Sequence, residues 1–118
     1  MRYARVVATA ALFIAMASAV GGAGPTSSEA AWATSCTPGS LAGAFGGALV
    51  LDSLDNFGCH AGWAFAWATV GTSPNEIGVT EVLRYRPASE TWEIASRLRW
   101  CKPARLPQLV YKLGCFSN

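Results

Sequence analysis

Histidine, charge and metal-type cysteine spacing are all scarce in this sequence. His60 is the single histidine among 118 residues, charged side chains make up 14%, and none of the four cysteines is spaced C-x-x-C from another. A structural or catalytic zinc site draws on such pairs together with histidines, so no metal and no cofactor are expected. The G-x-S-x-G, G-x-G-x-x-G and P-loop patterns are missing as well, which removes the nucleophile elbow, the dinucleotide fingerprint and the phosphate cradle. The acids are spread singly, with no pair set up for acid-base work. The expectation is a protein that is not an enzyme.

Nor is there an apolar run of the roughly 20 residues needed to span a bilayer. The longest, VVATAALFIAMASAV, has about 15 residues and follows Arg2 and Arg5 directly. Basic residues before a short apolar stretch are the pattern of a secretory signal. Small-x-small cut sites end at Ala17, Ala19, Ala23 and Ala33, and cleavage after Ala33 is favoured. A lipid anchor on Cys36 is disfavoured, because ATSC lacks the large aliphatic residue of a lipobox. Residues 1–33 are therefore read as a signal peptide and residues 34–118 as one exported domain. That length suits a single small core, which gains from staples in an oxidising exterior. Cys36, Cys59, Cys101 and Cys115 are expected to form two disulfides.

Three strands and a helix are legible. From Gly62 to Val70, large residues alternate with small: Trp63, Phe65, Trp67 and Thr69 on one side, Ala64, Ala66, Ala68 and Val70 on the other. Both sides are apolar, so this strand is expected to be covered on both faces, with a helix approaching the alanines. A second strand runs from about Val79 to Arg86 and a third from Thr91 to Trp100, joined by a turn at PASE. Placing Tyr85 opposite Trp92 sets Leu83 against Ile94 and Val79 against Leu98 on one face, with Arg84 against Glu93 and Thr80 against Arg97 on the other. LPQLVYKLGC reads as a short helix with Pro107 in its first turn, an apolar stripe of Leu106, Leu109, Val110 and Leu113, and Gly114 as a left-handed cap. Leu49–Leu51 is read as a short strand or a loop, and 52–58 as a turn.

These elements bear on the disulfides. A strand about ten residues long separates Cys59 from Cys101 by about 30 Å in a meander, against the roughly 6 Å between Cα atoms that a bridge allows. Cys101 to Cys115 and Cys36 to Cys59 are favoured; the crossed set, Cys36 to Cys101 with Cys59 to Cys115, is the alternative. The fold class is α+β: a small antiparallel sheet of three or four strands with a short C-terminal helix. The row Trp63, Phe65 and Trp67, with Tyr85, Trp92 and Trp100, is read as core, Trp100 being the ring nearest the surface.

The motifs CHAGWAFA, VLRYR, TWE, RWC, LP and the terminal GCFSN, spread over roughly residues 49–118, resemble small secreted actinobacterial proteins of uncharacterised function. The resemblance implies a signal peptide, a short sheet and a stapled C-terminal helix, and it implies no activity.

After Glu93 the chain carries five bases and no acid. Arg84, Arg86, Arg97, Arg99 and Trp100 form the candidate interaction patch. The expected function is a secreted interaction protein that binds another protein or an anionic cell-envelope polymer. Neither nucleic acid nor a stable membrane span is expected. The alternative is an inhibitor presenting GTSPNEIG or RPASE to an extracellular hydrolase.

Overall fold

The computed structural model describes residues 27–47 and 49–116. The apolar N-terminal run, with the cut sites at Ala17, Ala19 and Ala23, lies outside them. Two short helices, α1 (Ser27–Thr34) and α2 (Pro38–Ala42), precede four strands: β1 (Leu51–His60), β2 (Trp63–Val70), β3 (Ile77–Arg86) and β4 (Thr91–Ala95). Two more follow, α3 (Arg97–Trp100) and α4 (Gln108–Gly114). The strands make one antiparallel sheet in chain order.

The alternation in β2 divides the core into two. Ala64 and Ala66 join Leu41 of α2, Leu83, Tyr85 and Trp92 in a first buried cluster, with Trp32, Phe45 and Phe57 packed around it. The small side chains leave room for the N-terminal helices, as their pattern implies. Phe65 joins Val82, Leu106 and Val110 in a second cluster, flanked by Trp63, Trp67 and Trp100. The aromatic residues thus belong to two cores on opposite faces, with Tyr85 and Trp92 in the first.

Both favoured disulfides are present. Cys36 and Cys59 lie 6.1 Å apart at Cα, and Cys101 and Cys115 lie 5.5 Å apart. The first ties the N-terminal segment to the edge strand, and Trp92 reinforces it by donating its indole N–H to Ser35 O at 2.8 Å.

Several expectations need correction. Residues 52–58 are not a turn but most of β1, a ten-residue edge strand with irregularities between Leu51 and Ser53 and between Leu54 and Asn56. The turn lies at Ala61 and Gly62, with φ of 52° and 83°. Positive φ at both central residues is what a type I′ hairpin requires. The third strand ends at Ala95, since Ser96 caps a helical turn by accepting the Arg99 N–H at 3.2 Å. Tyr85–Trp92, Leu83–Ile94 and Arg84–Glu93 keep the expected register. Val79–Leu98 and Thr80–Arg97 are not strand partners.

The C-terminal helix departs from its expected form in two places. Leu109 is 41% exposed, whereas Leu106 and Val110 are buried. Gly114 is the last helical residue rather than a left-handed cap, and Cys115 follows at φ −114°. Glycine is needed there for closeness: a Cβ would lie 2.9 Å from Val82 Cγ2 and 3.2 Å from Phe65 Cβ.

Candidate functional site

The register of the central strands sets Trp63 directly opposite Arg84. At the same end of the sheet, α3 brings Trp100 against Trp63, with ring centroids 4.9 Å apart. The Arg84 guanidinium carbon sits 5.4 Å from the Trp63 ring centroid and 5.3 Å from that of Trp100. Arg99 reaches the Trp100 ring from its own helix, also at 5.3 Å. Such distances lie within cation-π range. Arg105 extends the cluster by donating from Nη1 to Arg99 O at 3.3 Å.

The five residues read from the sequence divide at this point. Arg84, Arg99 and Trp100 converge. Arg86 is neutralised by Glu93, its Nε 3.3 Å from the carboxylate. This also corrects the expected partner of Glu93, which stands opposite Arg84 in the ladder but binds Arg86. Arg97 turns inward, donating from Nη1 to Thr80 O at 3.2 Å. Its charge counteracts, without cancelling, the burial that raises the Glu81 carboxyl above its ordinary value. Among the described residues, Arg84 and Arg99 have ring contacts but no carboxylate in ion-pair range.

Two members of the cluster were not read from the sequence. Trp63, whose pattern reads as core, is only half-buried and forms one wall of the site. Its part follows from its register with Arg84, which requires aligning the second and first legible strands. Arg105 lies in the irregular segment between α3 and α4, where no sequence periodicity fixes its position.

At the far end of β2 and β3, an open cleft of about 280 Å³ is lined by Asp55, Trp67, Gly78 and Thr80 among others. Asp55 accepts hydrogen bonds there from Ser53 and Thr69, each at 2.8 Å. His60 is exposed, its ring 6.5 Å from that of Trp32. All four cysteines are in disulfides, so no thiol is available as a nucleophile. Among the described residues no group of His, Cys, Asp or Glu is arranged to hold a metal, and no helix is long and apolar enough to cross a membrane. Compared with protein-family models, curated proteins and solved structures, the chain matches none.

Proposed function

We propose that the protein is a non-enzymatic interaction protein, exported to the cell envelope or beyond it, that binds an anionic envelope component through Arg84, Arg99, Trp63 and Trp100. The supporting observation is the Arg84 guanidinium held over two indoles with no carboxylate partner among the described residues. Stacking limits the rotamers of the arginine and leaves its planar array of N–H donors for an external acceptor. A phosphate or carboxylate accepts two parallel hydrogen bonds from that array. Arg99 adds a second cation on the same ring. Export is supported by the apolar N-terminal run behind two arginines and by two disulfides.

The test is retention of the oxidised protein on immobilised polyphosphate across a salt gradient. Binding is expected to weaken as salt rises, because exposed charges are screened. Arg84→Gln and Arg99→Gln should each elute earlier, while the double variant Arg86→Gln with Glu93→Gln, which removes an ion pair without changing net charge, should elute close to the parent. Equal elution of all the variants overturns the reading. So does stoichiometric inhibition of a hydrolase that depends on residues 71–78 or 86–90 rather than on the arginines.

A further inference from the structure

Leu98 is 88% exposed, the most exposed of the large apolar side chains among the described residues. It sits in the sequence Arg-Leu-Arg-Trp, on a helix of four residues that is anchored at both ends. Ser96 caps that helix, Arg97 is tied to Thr80 O, and the bridge from Cys101 to Cys115 follows it immediately. Phe116, 70% exposed, leaves the other half of the same bridge. Arg99 follows Leu98 in the chain and shares the Trp100 ring with Arg84, Arg105 donates to the Arg99 carbonyl, and the exposed Lys102 lies just beyond the helix. Of the two carboxylates on β3 and β4 nearest in sequence register, Glu93 pairs with Arg86, and Glu81 is partly buried and feels the charge of Arg97.

A soluble polyanion would be served by the cations alone and gives no role to an apolar side chain standing in water among them. A bilayer surface presents both partners at once, with anionic headgroups at the level of the arginines and hydrocarbon just below. Tryptophan suits the boundary between the two, having an apolar body and a polar N–H. Resting on the proposed envelope function, we infer that the α3 loop is a membrane-surface docking element: Leu98 inserts into the headgroup boundary of an anionic lipid leaflet while Arg84, Arg99, Lys102 and Arg105 bind its headgroups. The protein lies on the membrane and does not span it.

Flotation of the oxidised protein with phosphatidylcholine vesicles, with and without phosphatidylglycerol, tests this. The protein should float with the phosphatidylglycerol vesicles at low salt and remain below with phosphatidylcholine alone. Leu98→Ser should lower vesicle partitioning about tenfold, leaving the melting temperature and polyphosphate retention unchanged because the side chain touches solvent. Arg99→Gln should weaken both vesicle and polyphosphate binding, the former about fivefold. Partitioning that is equal for the parent and Leu98→Ser overturns the inference, as does a Leu98-dependent dimer formed without lipid. Polyphosphate retention without vesicle binding overturns the lipid surface but keeps the anionic envelope function. Binding to neither overturns both.

Discussion

The indole N–H of Trp67 donates to the carbonyl of Leu113 at 2.7 Å, joining residues 46 apart in the chain. This bond ties the last turn of α4 to the sheet. A seven-residue helix is too short to be stable alone, so its position depends on tertiary contacts of this kind. Trp67→Phe keeps a ring in place but leaves the Leu113 carbonyl without that donor. The expected loss is about 1–3 kcal/mol, read as a lower melting temperature in thermal unfolding of the oxidised protein.

Gly114 makes the same docking possible by its lack of a side chain. Gly114→Ala would force a methyl group to within 2.9 Å of Val82 Cγ2, a side chain that is itself fully buried. Overpacking of this type costs about 1–3 kcal/mol. Helix propensity alone predicts the opposite sign, since alanine is favoured over glycine by about 1 kcal/mol. Denaturant unfolding of Gly114→Ala therefore separates the two effects, and a fall in midpoint is expected.

The N-terminal boundary carries a prediction about processing. Ala31 and Trp32 pack against the first core cluster, and the Trp32 ring approaches that of His60. Cleavage after Ala33, favoured on sequence grounds, would remove both. Cleavage at an earlier site, such as after Ala23, would keep them. N-terminal sequencing of protein recovered from the medium of an exporting host should find a start before Ala31. A start at Thr34 would mean that the first core is completed without Trp32.

What the sequence disclosed depended on whether both faces of an element constrained it. The β3–β4 register was legible because a slip of one residue would bring Arg84 and Arg86, or Glu93, onto the face that Leu83, Tyr85, Trp92 and Ile94 occupy. In β1 that signal is absent. Its residues include Asp52, Ser53, Asp55, Asn56 and Gly58, which favour turns, and its edge position leaves many of them exposed. Pairing with β2 overrides that local preference, and Gly58 finds its place beneath the Phe65 ring, which comes within 2.7 Å of where a Cβ would be. The break after β4 was hidden for a different reason: Arg97, Leu98, Arg99 and Trp100 continue a two-residue alternation, yet the Ser96 cap starts a helical turn. That turn carries Trp100 back to Trp63 and Arg84, so the sequence revealed the members of the patch more readily than their convergence.

Glu81 gives a pH dependence whose sign is opposite to that of a salt-bridged carboxylate. Burial raises its folded-state carboxyl above the ordinary value, with Arg97 pulling in the other direction. The folded protein therefore holds this proton more tightly than the unfolded chain does, and by linkage the group contributes less to stability as pH rises. Its penalty is absent below the ordinary carboxyl range, grows between the ordinary and raised values, and is complete above the raised one. Glu81→Gln, which cannot ionise, should be more stable than the parent at neutral pH, and the gain should disappear on acidification. Arg97→Gln should move the Glu81 midpoint higher still by removing the compensating charge. Denaturant melts across this pH range, with NMR titration of the Glu81 carboxyl, measure both; a gain from Glu81→Gln that is independent of pH would assign the effect to packing instead of ionisation.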